Sequence, residues 1–134
     1  MRIYKDARFH KGYRLSGAQV IQTLMQEPVI LKQYPFLLKK SSQADWENLP
    51  ITATFAQWLF VVPKKRFRRA HVRNGIRRKI RESVRKNQQD LLQHLSATAQ
   101  WMQFALYYVG PPDCTAPWMD QKVKDILEKM KTVI

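Results

Sequence analysis

Residues 64–86 of the chain read KKRFRRAHVRNGIRRKIRESVRK, a strongly basic stretch in which apolar residues recur with a helical period. The stretch holds 12 of the 24 lysine and arginine residues and one acid, Glu82, so it carries 11 of the formal +14 charges. Repulsion between neighbouring cations does not stabilise a hydrophobic core. Binding of an external polyanion is the simplest explanation for this concentration of positive charge. The stretch therefore indicates a surface that binds a polyanion, with nucleic acid ranked first.

The spacing of the apolar residues predicts a helix over residues 70–95. One narrow arc of this helix is expected to face a sheet, while the neighbouring arc, which carries most of the arginines, faces outward. Arginines at positions 73, 77, 81 and 85 repel one another at i,i+4 spacing, which a merely solvated face would avoid by mixing charges. The arc expected to face the sheet consists of Val72, Ile76, Ile80, Ser83 and Asn87.

One dipeptide inside this helix favours a different local structure. Asn74-Gly75 is by itself a strong signal for a hairpin turn. The residues on both sides have a helical rather than an alternating pattern, so we expect a helix, at a cost of about 1 kcal/mol for glycine relative to alanine.

The segments on either side of the basic stretch predict a mixed fold. Their order is α-β-β-α-β-α, which favours an α/β two-layer sandwich with helices packed on a small sheet. The flanking elements are expected to be a helix from a Ser16 cap to about Glu27, strands at residues 36–39, 51–62 and 103–109, and a helix after Pro117.

The bulk composition is that of a single domain spanning residues 1–134, with 45% hydrophobic residues and a pI near 10.3. No apolar run reaches the length of about 18 residues that a membrane span needs, and no secretory signal is recognised. A membrane surface is also a poor partner, because the apolar arc of the basic helix carries no Trp or Phe. Cys114 is the only cysteine, which agrees with a reducing, cytoplasmic location.

Catalytic and metal-binding patterns are not recognised in the sequence. His10, His71 and His94 lie far apart in the chain, without carboxylates or a thiol at ligand spacing. Gly-rich phosphate loops and hydrolase motifs are also missing from the sequence. We therefore expect no catalytic residues, no metal ligands and no cofactor bound by the protein alone.

The order of residues within the basic stretch is more specific than its charge. Residues 73–82 read RNGIRRKIRE and resemble the signature of the bacterial ribonuclease P protein component, usually written RNRxKRxxRE. Residues 61–70, VVPKKRFRRA, resemble the strand and basic loop that precede this signature in the family. The resemblance extends over nearly the whole chain, and residues 62–82 are its diagnostic part.

The resemblance implies a small α/β sandwich with a left-handed β-α-β crossover, shared with a domain of a small-subunit ribosomal protein. In that family the catalyst is RNA. The protein binds the catalytic ribonuclease P RNA and the 5′ leader of precursor tRNA, and the holoenzyme removes the leader with Mg²⁺ held by the RNA. No membrane and no obligate protein partner are implied.

The resemblance also implies site residues. A leader cleft between the first helix and the sheet would be lined by Val20, Leu24, Lys39 and Tyr108, although ordinary core packing explains Val20 and Leu24 equally well. RNA contacts are implied for the basic loop and helix, namely Lys64, Lys65, Arg66, Arg68, Arg69, Arg73, Asn74, Arg77, Arg78, Arg81 and Arg85.

Four positions depart from the family pattern. Gly75 stands in place of the second arginine of the signature, which removes a cation. Val109 stands where an arginine commonly precedes the end of the last strand. The aliphatic residues at positions 20 and 24 would weaken base stacking, which contributes about 1–3 kcal/mol per base.

Three other functions remain as alternatives. A ribosomal or other structural RNA-binding protein would use the same basic helix without any role in cleavage. A helix-turn-helix DNA-binding protein would need a helix pair around a short turn, whereas the basic helix is predicted to lie between strands. A protein-only nuclease would need clustered carboxylates for a metal, and the acidic residues of this sequence are scattered.

Overall fold

The computed structural model of the chain describes residues 13–15, 17–41, 56–98 and 102–134. The strands of these residues form one sheet, and helices pack on both of its faces. The elements are α1 (Ala18–Met25), β1 (Val29–Gln33), β2 (Phe36–Lys40), β3 (Ala56–Val61), α2 (Ala70–Asn87), α3 (Gln89–Ala97), β4 (Met102–Tyr108) and α4 (Ala116–Val133).

The four strands lie in the order β1-β2-β4-β3. β1 pairs with β2 and β2 with β4 in antiparallel fashion, whereas β3 and β4 are parallel. Parallel neighbours require a crossover connection, and here α2 and α3 supply it. The basic helix is thus part of the β3-to-β4 crossover, as the sequence predicted. The left hand that the resemblance implies for this crossover stays a prediction.

The main hydrophobic core lies between one face of the sheet and the helices α2, α3 and α4. Phe36, Trp58 and Phe104 from three strands are buried there against Ile80 of α2 and Met119 of α4. On the other face, α1 covers a smaller apolar cluster. These layers confirm the predicted α/β sandwich. None of the helices in the described parts of the chain is both long and apolar enough to cross a membrane.

Strand β1 is missing from the sequence-based prediction, which placed no strand between Pro28 and the strand at residues 36–39. β1 is an edge strand, and its register with β2 shifts between Val29 and Leu31. Such a short irregular edge strand does not show the alternation of apolar and polar residues on which the prediction relied. The observed order is therefore αβββααβα.

The single helix predicted over residues 70–95 is also wrong in its length, because it divides into α2 and α3 at Gln88. Gln88 is buried, and its side-chain oxygen accepts a hydrogen bond of 3.2 Å from Nε1 of Trp58. The indole of a buried tryptophan needs such an acceptor. The backbone of Gln88 stays in the right-handed helical region, so the helical period of the segment gives no sign of the division.

The other predicted elements are confirmed within the described residues. The predicted last helix is present as α4, which begins at Ala116 rather than after Pro117, with Thr115 as its cap accepting a hydrogen bond of 3.3 Å from the backbone N–H of Trp118. β2, β4 and the second half of the strand predicted at residues 51–62 are present as well. The Ser16 cap and residues 51–55 of the predicted strand lie outside the described residues.

Candidate nucleic-acid interface

A short loop, residues 63–69, carries the first part of the basic stretch from β3 to α2; we call it the basic loop. The carbonyl of Pro63 accepts hydrogen bonds from the backbone N–H groups of Arg66, at 3.2 Å, and Phe67, at 3.0 Å, which closes a tight turn. Phe67 is buried and its ring lies 5.8 Å from that of Tyr108, so it anchors the loop in the core. Because that anchor fixes the turn, Lys64, Lys65 and Arg66 are exposed to solvent.

Arg73 connects the basic loop to the first turns of α2. Its Nη1 atom donates to the backbone oxygens of Phe67, at 2.8 Å, and Arg68, at 2.9 Å. Arg68 and Arg69 themselves are exposed. Arg73 was predicted from the signature as an RNA contact, and the structure gives it a second task, which is to hold the loop against the helix.

The outward side of α2 forms the second part of the candidate interface. Ile76, Ile80 and Val84 are buried and fix the rotation of the helix about its axis. Arg77 donates a hydrogen bond of 2.9 Å to the side-chain oxygen of Asn74 one turn earlier. The residues on this side, which we call the basic face, are Asn74, Arg77, Arg78, Arg81 and Arg85.

The charges of the basic face are not all alike. Arg85 donates two hydrogen bonds to the carboxylate of Glu82, and these lower the pKa of Glu82 and raise that of Arg85. Among the described residues, no acid forms an ion pair with Arg77, Arg78 or Arg81. The positive charge available to a ligand is therefore concentrated on the first three turns of α2.

The sequence missed one cation at this interface. Partial burial lowers the pKa of Arg81, and the positive charges of Arg14 and Arg77 lower it further. Arg14 lies far from the basic stretch in sequence, in a segment paired with the edge of β3. No local sequence pattern could have placed it beside the arginines of α2.

The other side of α2 contacts α4 rather than the sheet at its C-terminal end. Ser83 and Asn87, which were expected to face the sheet, instead donate hydrogen bonds of 3.0 and 2.9 Å to the carboxylate of Asp120 in α4. Burial acts to raise the pKa of Asp120, but the hydrogen bonds from Lys124, Asn87 and Ser83 outweigh it and the pKa is lowered. This network holds α2 against α4 and keeps the basic face directed outward.

The predicted leader cleft corresponds to the α1 side of the sheet, and the structure brings some of its residues together. Leu24 is buried with Leu15 and Ala105 in the smaller apolar cluster, so it packs as a core residue. Val20 of the same helix is exposed over 37% of its surface. The ammonium group of Lys39 donates a hydrogen bond of 2.6 Å to the carbonyl oxygen of Met25, at the end of α1.

The prediction that Tyr108 lines this cleft is wrong, because its side chain lies on the opposite face of the sheet. Tyr108 is fully buried in the main core and donates a hydrogen bond of 2.6 Å to the carbonyl oxygen of Pro111, and burial raises its pKa. Successive strand residues point to opposite faces. The tyrosine on the α1 side is Tyr107, whose ring centroid lies 5.2 Å from the ammonium of Lys39.

Metal-ligating side chains do not cluster in the part of the chain that the structure describes. No group of three or more His, Cys, Asp or Glu residues there could hold a metal ion.

Comparisons with known proteins agree with this architecture. The family model described as Ribonuclease P matches residues 9–131 of the chain. The solved structure of the Staphylococcus aureus RNase P protein is similar with a TM-score of 0.59 and 16% sequence identity, over 92% of this chain and 100% of that chain. A mutant of the S. aureus protein with defective mRNA degradation activity gives a TM-score of 0.64 and 17% identity, over 90% of each chain. No curated protein sequence matches the chain significantly.

Proposed function

The chain belongs to the bacterial ribonuclease P protein family, and on that premise we propose that it binds the catalytic RNA of ribonuclease P through the basic loop and the basic face of α2. Membership of the family makes it the protein subunit of a tRNA-processing endoribonuclease. In the proposed complex the protein assists the RNA in removing the 5′ leader from precursor tRNA in the cytoplasm. No protein partner and no membrane is needed for this role.

The observation that carries the proposal is one surface on which several cations form no ion pair with any acid of the described residues. Lys64 and Lys65 are exposed on an anchored loop, and Arg77, Arg78 and Arg81 follow on a helix held in place by the core and by α4. Phosphate contacts of this kind position an RNA without reading its sequence. If six to ten phosphates are contacted, affinity falls by about 10³–10⁵ between 50 and 200 mM salt.

We propose that the leader lies along the α1 side of the sheet. Exposed Val20 offers an apolar contact there, and Lys39 and Tyr107 lie beside one another at the end of α1. Two of the three ammonium donors of Lys39 remain beyond its bond to Met25. Leu24 supports this surface from the core rather than touching the leader.

The proposal assigns the chemical step to RNA. A phosphodiester hydrolysis that uses Mg²⁺ would take its metal ligands from the RNA, and the protein would contribute binding and orientation only. Arginine is suited to that work, because its guanidinium binds phosphate in bidentate fashion and keeps its charge.

The test uses purified protein, a bacterial ribonuclease P RNA and a 5′-labelled precursor tRNA at low Mg²⁺ concentration. The protein should accelerate leader removal over RNA alone, and Arg78→Gln should reduce this acceleration more than Lys129→Gln, which removes a charge from the exposed side of α4. If the native protein did not accelerate leader removal, the proposal would be rejected.

Two further arms separate the alternatives. Protein without RNA should leave the precursor intact, whereas metal-dependent cleavage by protein alone would place the chemistry in the protein. A structural RNA-binding protein would bind the catalytic RNA with similar affinity but would not change the rate of cleavage. The family match disfavours the helix-turn-helix alternative, and the helix pair α2 and α3 is the crossover between the paired strands β3 and β4.

A further inference from the structure

Three arginines from two separate parts of the chain converge on one cleft at the outer edge of β3. Its volume is about 360 Å³. Arg14 lies on one side, and Arg77 and Arg81 of α2 lie on the other. Leu59 and Phe60 of β3 line it between them, and the described residues that line it include no acid. Arg14 lies outside the basic stretch and outside the signature.

The position of Arg14 is fixed by backbone pairing. Arg14 forms a parallel bridge with Trp58, and the backbone N–H of Leu15 donates a hydrogen bond of 2.9 Å to the carbonyl oxygen of Trp58. The side chain of Leu15 is buried beside Leu24 on the α1 side of the sheet. Arg14 itself is exposed. The fold therefore holds the backbone of Arg14 rigidly and leaves its guanidinium in solvent at the cleft.

The opposite wall is set by α2. Arg77 and Arg81 are one turn apart and lie on the same side of the helix, and buried Ile76 and Ile80 fix the direction in which they project. The described residues supply no acid that pairs with either of them or with Arg14. Partial burial is the main reason that the pKa of Arg81 is lowered, and the positive charges of Arg14 and Arg77 lower it further. A bound anion would relieve this repulsion.

We propose that the cleft binds one backbone phosphate of RNA between Arg14, Arg77 and Arg81, with the adjoining nucleoside against the exposed part of Phe60. Phe60 is half-buried, and the ring of Trp58 stacks behind it at 6.1 Å and 20°. An aromatic side chain supported in this way offers a face for a base. The inference rests on the proposed function only for its choice of RNA as the ligand.

The first test measures the salt dependence of RNA binding for Arg14→Gln, with Lys129→Gln as the charge-matched control. Each phosphate contact contributes a slope of about 0.7–0.9 in log affinity against log salt, which corresponds to about threefold between 50 and 200 mM. The affinity ratio of native protein to Arg14→Gln should fall by that factor over this range. A salt dependence equal to that of Lys129→Gln would overturn the proposal.

A second test asks whether the arginines share one phosphate. Arg14→Gln combined with Arg81→Gln should lose less affinity than the product of the two single losses, because each variant disturbs the same contact. Fully multiplicative losses would mean separate phosphates and would overturn the shared site. Phe60→Leu should weaken the binding of ordinary RNA and leave the binding of an oligonucleotide with abasic riboses unchanged. If Phe60→Leu weakened the binding of both oligonucleotides equally, Phe60 would not contact a nucleoside.

Thermal unfolding distinguishes a binding role from a structural one. Arg14→Gln should keep or raise the Tm at low salt, because it relieves repulsion in the free protein, and the difference should vanish at high salt. A lower Tm at both salt concentrations would give Arg14 a structural role instead. The cleavage assay of the native protein tests the proposed function separately. Normal acceleration together with a silent Arg14→Gln variant would reject this inference alone.

Discussion

Replacing Gly75 separates the helical stability of α2 from its charge. Gly75 lies within α2, and a Cβ atom added there would meet no heavy atom within 4 Å. Nothing in the described structure requires glycine at this position. Gly75→Ala should therefore recover most of the difference in helix propensity, about 0.8–1.0 kcal/mol.

In a chain of this size such a gain corresponds to a rise in Tm of roughly 3–5 °C. Gly75→Arg should gain less. An arginine at this position would repel Arg78 and Lys79, its neighbours at i+3 and i+4, and each like-charge pair costs about 0.2–0.5 kcal/mol. The expected net change for arginine is thus between about zero and 0.5 kcal/mol.

For RNA binding, the two variants should rank in the opposite order to that for stability. Gly75→Arg restores the cation that the family signature has, and one added phosphate contact steepens the salt slope by about 0.9. Gly75→Ala should leave the slope as it is in the native protein. Calorimetry or fluorescence-monitored unfolding and RNA titrations at several salt concentrations measure the two effects independently. Equal slopes for the two variants would show that position 75 does not face RNA, and a Tm lowered by Gly75→Ala would refute the unstrained helix.

Three other changes have expected outcomes that follow from single contacts. Gly110→Ala should destabilise the fold by about 1–3 kcal/mol in denaturant unfolding, because the added Cβ would lie 2.6 Å from the hydroxyl of Tyr108 and 2.8 Å from the Cβ of Pro35. An unchanged midpoint of denaturant unfolding would contradict this close approach. The folded pKa of Asp120 is lower than its unfolded pKa, which is near 3.9, so the ionised carboxylate stabilises the fold above that pH and the stabilisation is lost as pH falls through the folded pKa. Asp120→Asn should therefore be less stable than the native protein at neutral pH and should lose less stability on acidification. If the stability of the two proteins changed in parallel with pH, the network with Ser83 and Asn87 would be ruled out. Trp58→Phe should cost about 1–3 kcal/mol by leaving the buried oxygen of Gln88 without its donor, and equal stability in chemical denaturation would show that the bond is dispensable.

The family and the basic helix could be predicted from the sequence because their signals are local. The helical period of Val72, Ile76 and Ile80 lies within one segment, and the burial of Ile76 and Ile80 confirms the direction in which the helix faces. The spacing of cations in residues 73–82 led to the family that the matching family model shows. The individual RNA contacts stay predictions.

The candidate site was predicted less completely where it depends on the sheet. Lys39 was placed correctly on the α1 side, but Tyr108 was chosen where Tyr107 lies. In a strand an error of one residue moves a side chain to the other face. Both tyrosines are compatible with the pattern of β4, and only the pairing of β4 with its neighbours and the packing of α1 distinguish them.

The sequence by itself determined the charge of the interface, the helix that carries most of it and the family, since all three depend on residues close together in the chain. The tertiary structure alone decided which distant groups meet. It brought Arg14 to Arg77 and Arg81 across the edge of β3, and it placed the buried side chain of Gln88 where it accepts a hydrogen bond from Trp58. Contacts of this kind arise from backbone pairing and the satisfaction of buried polar groups between remote segments, which no local pattern of residues records.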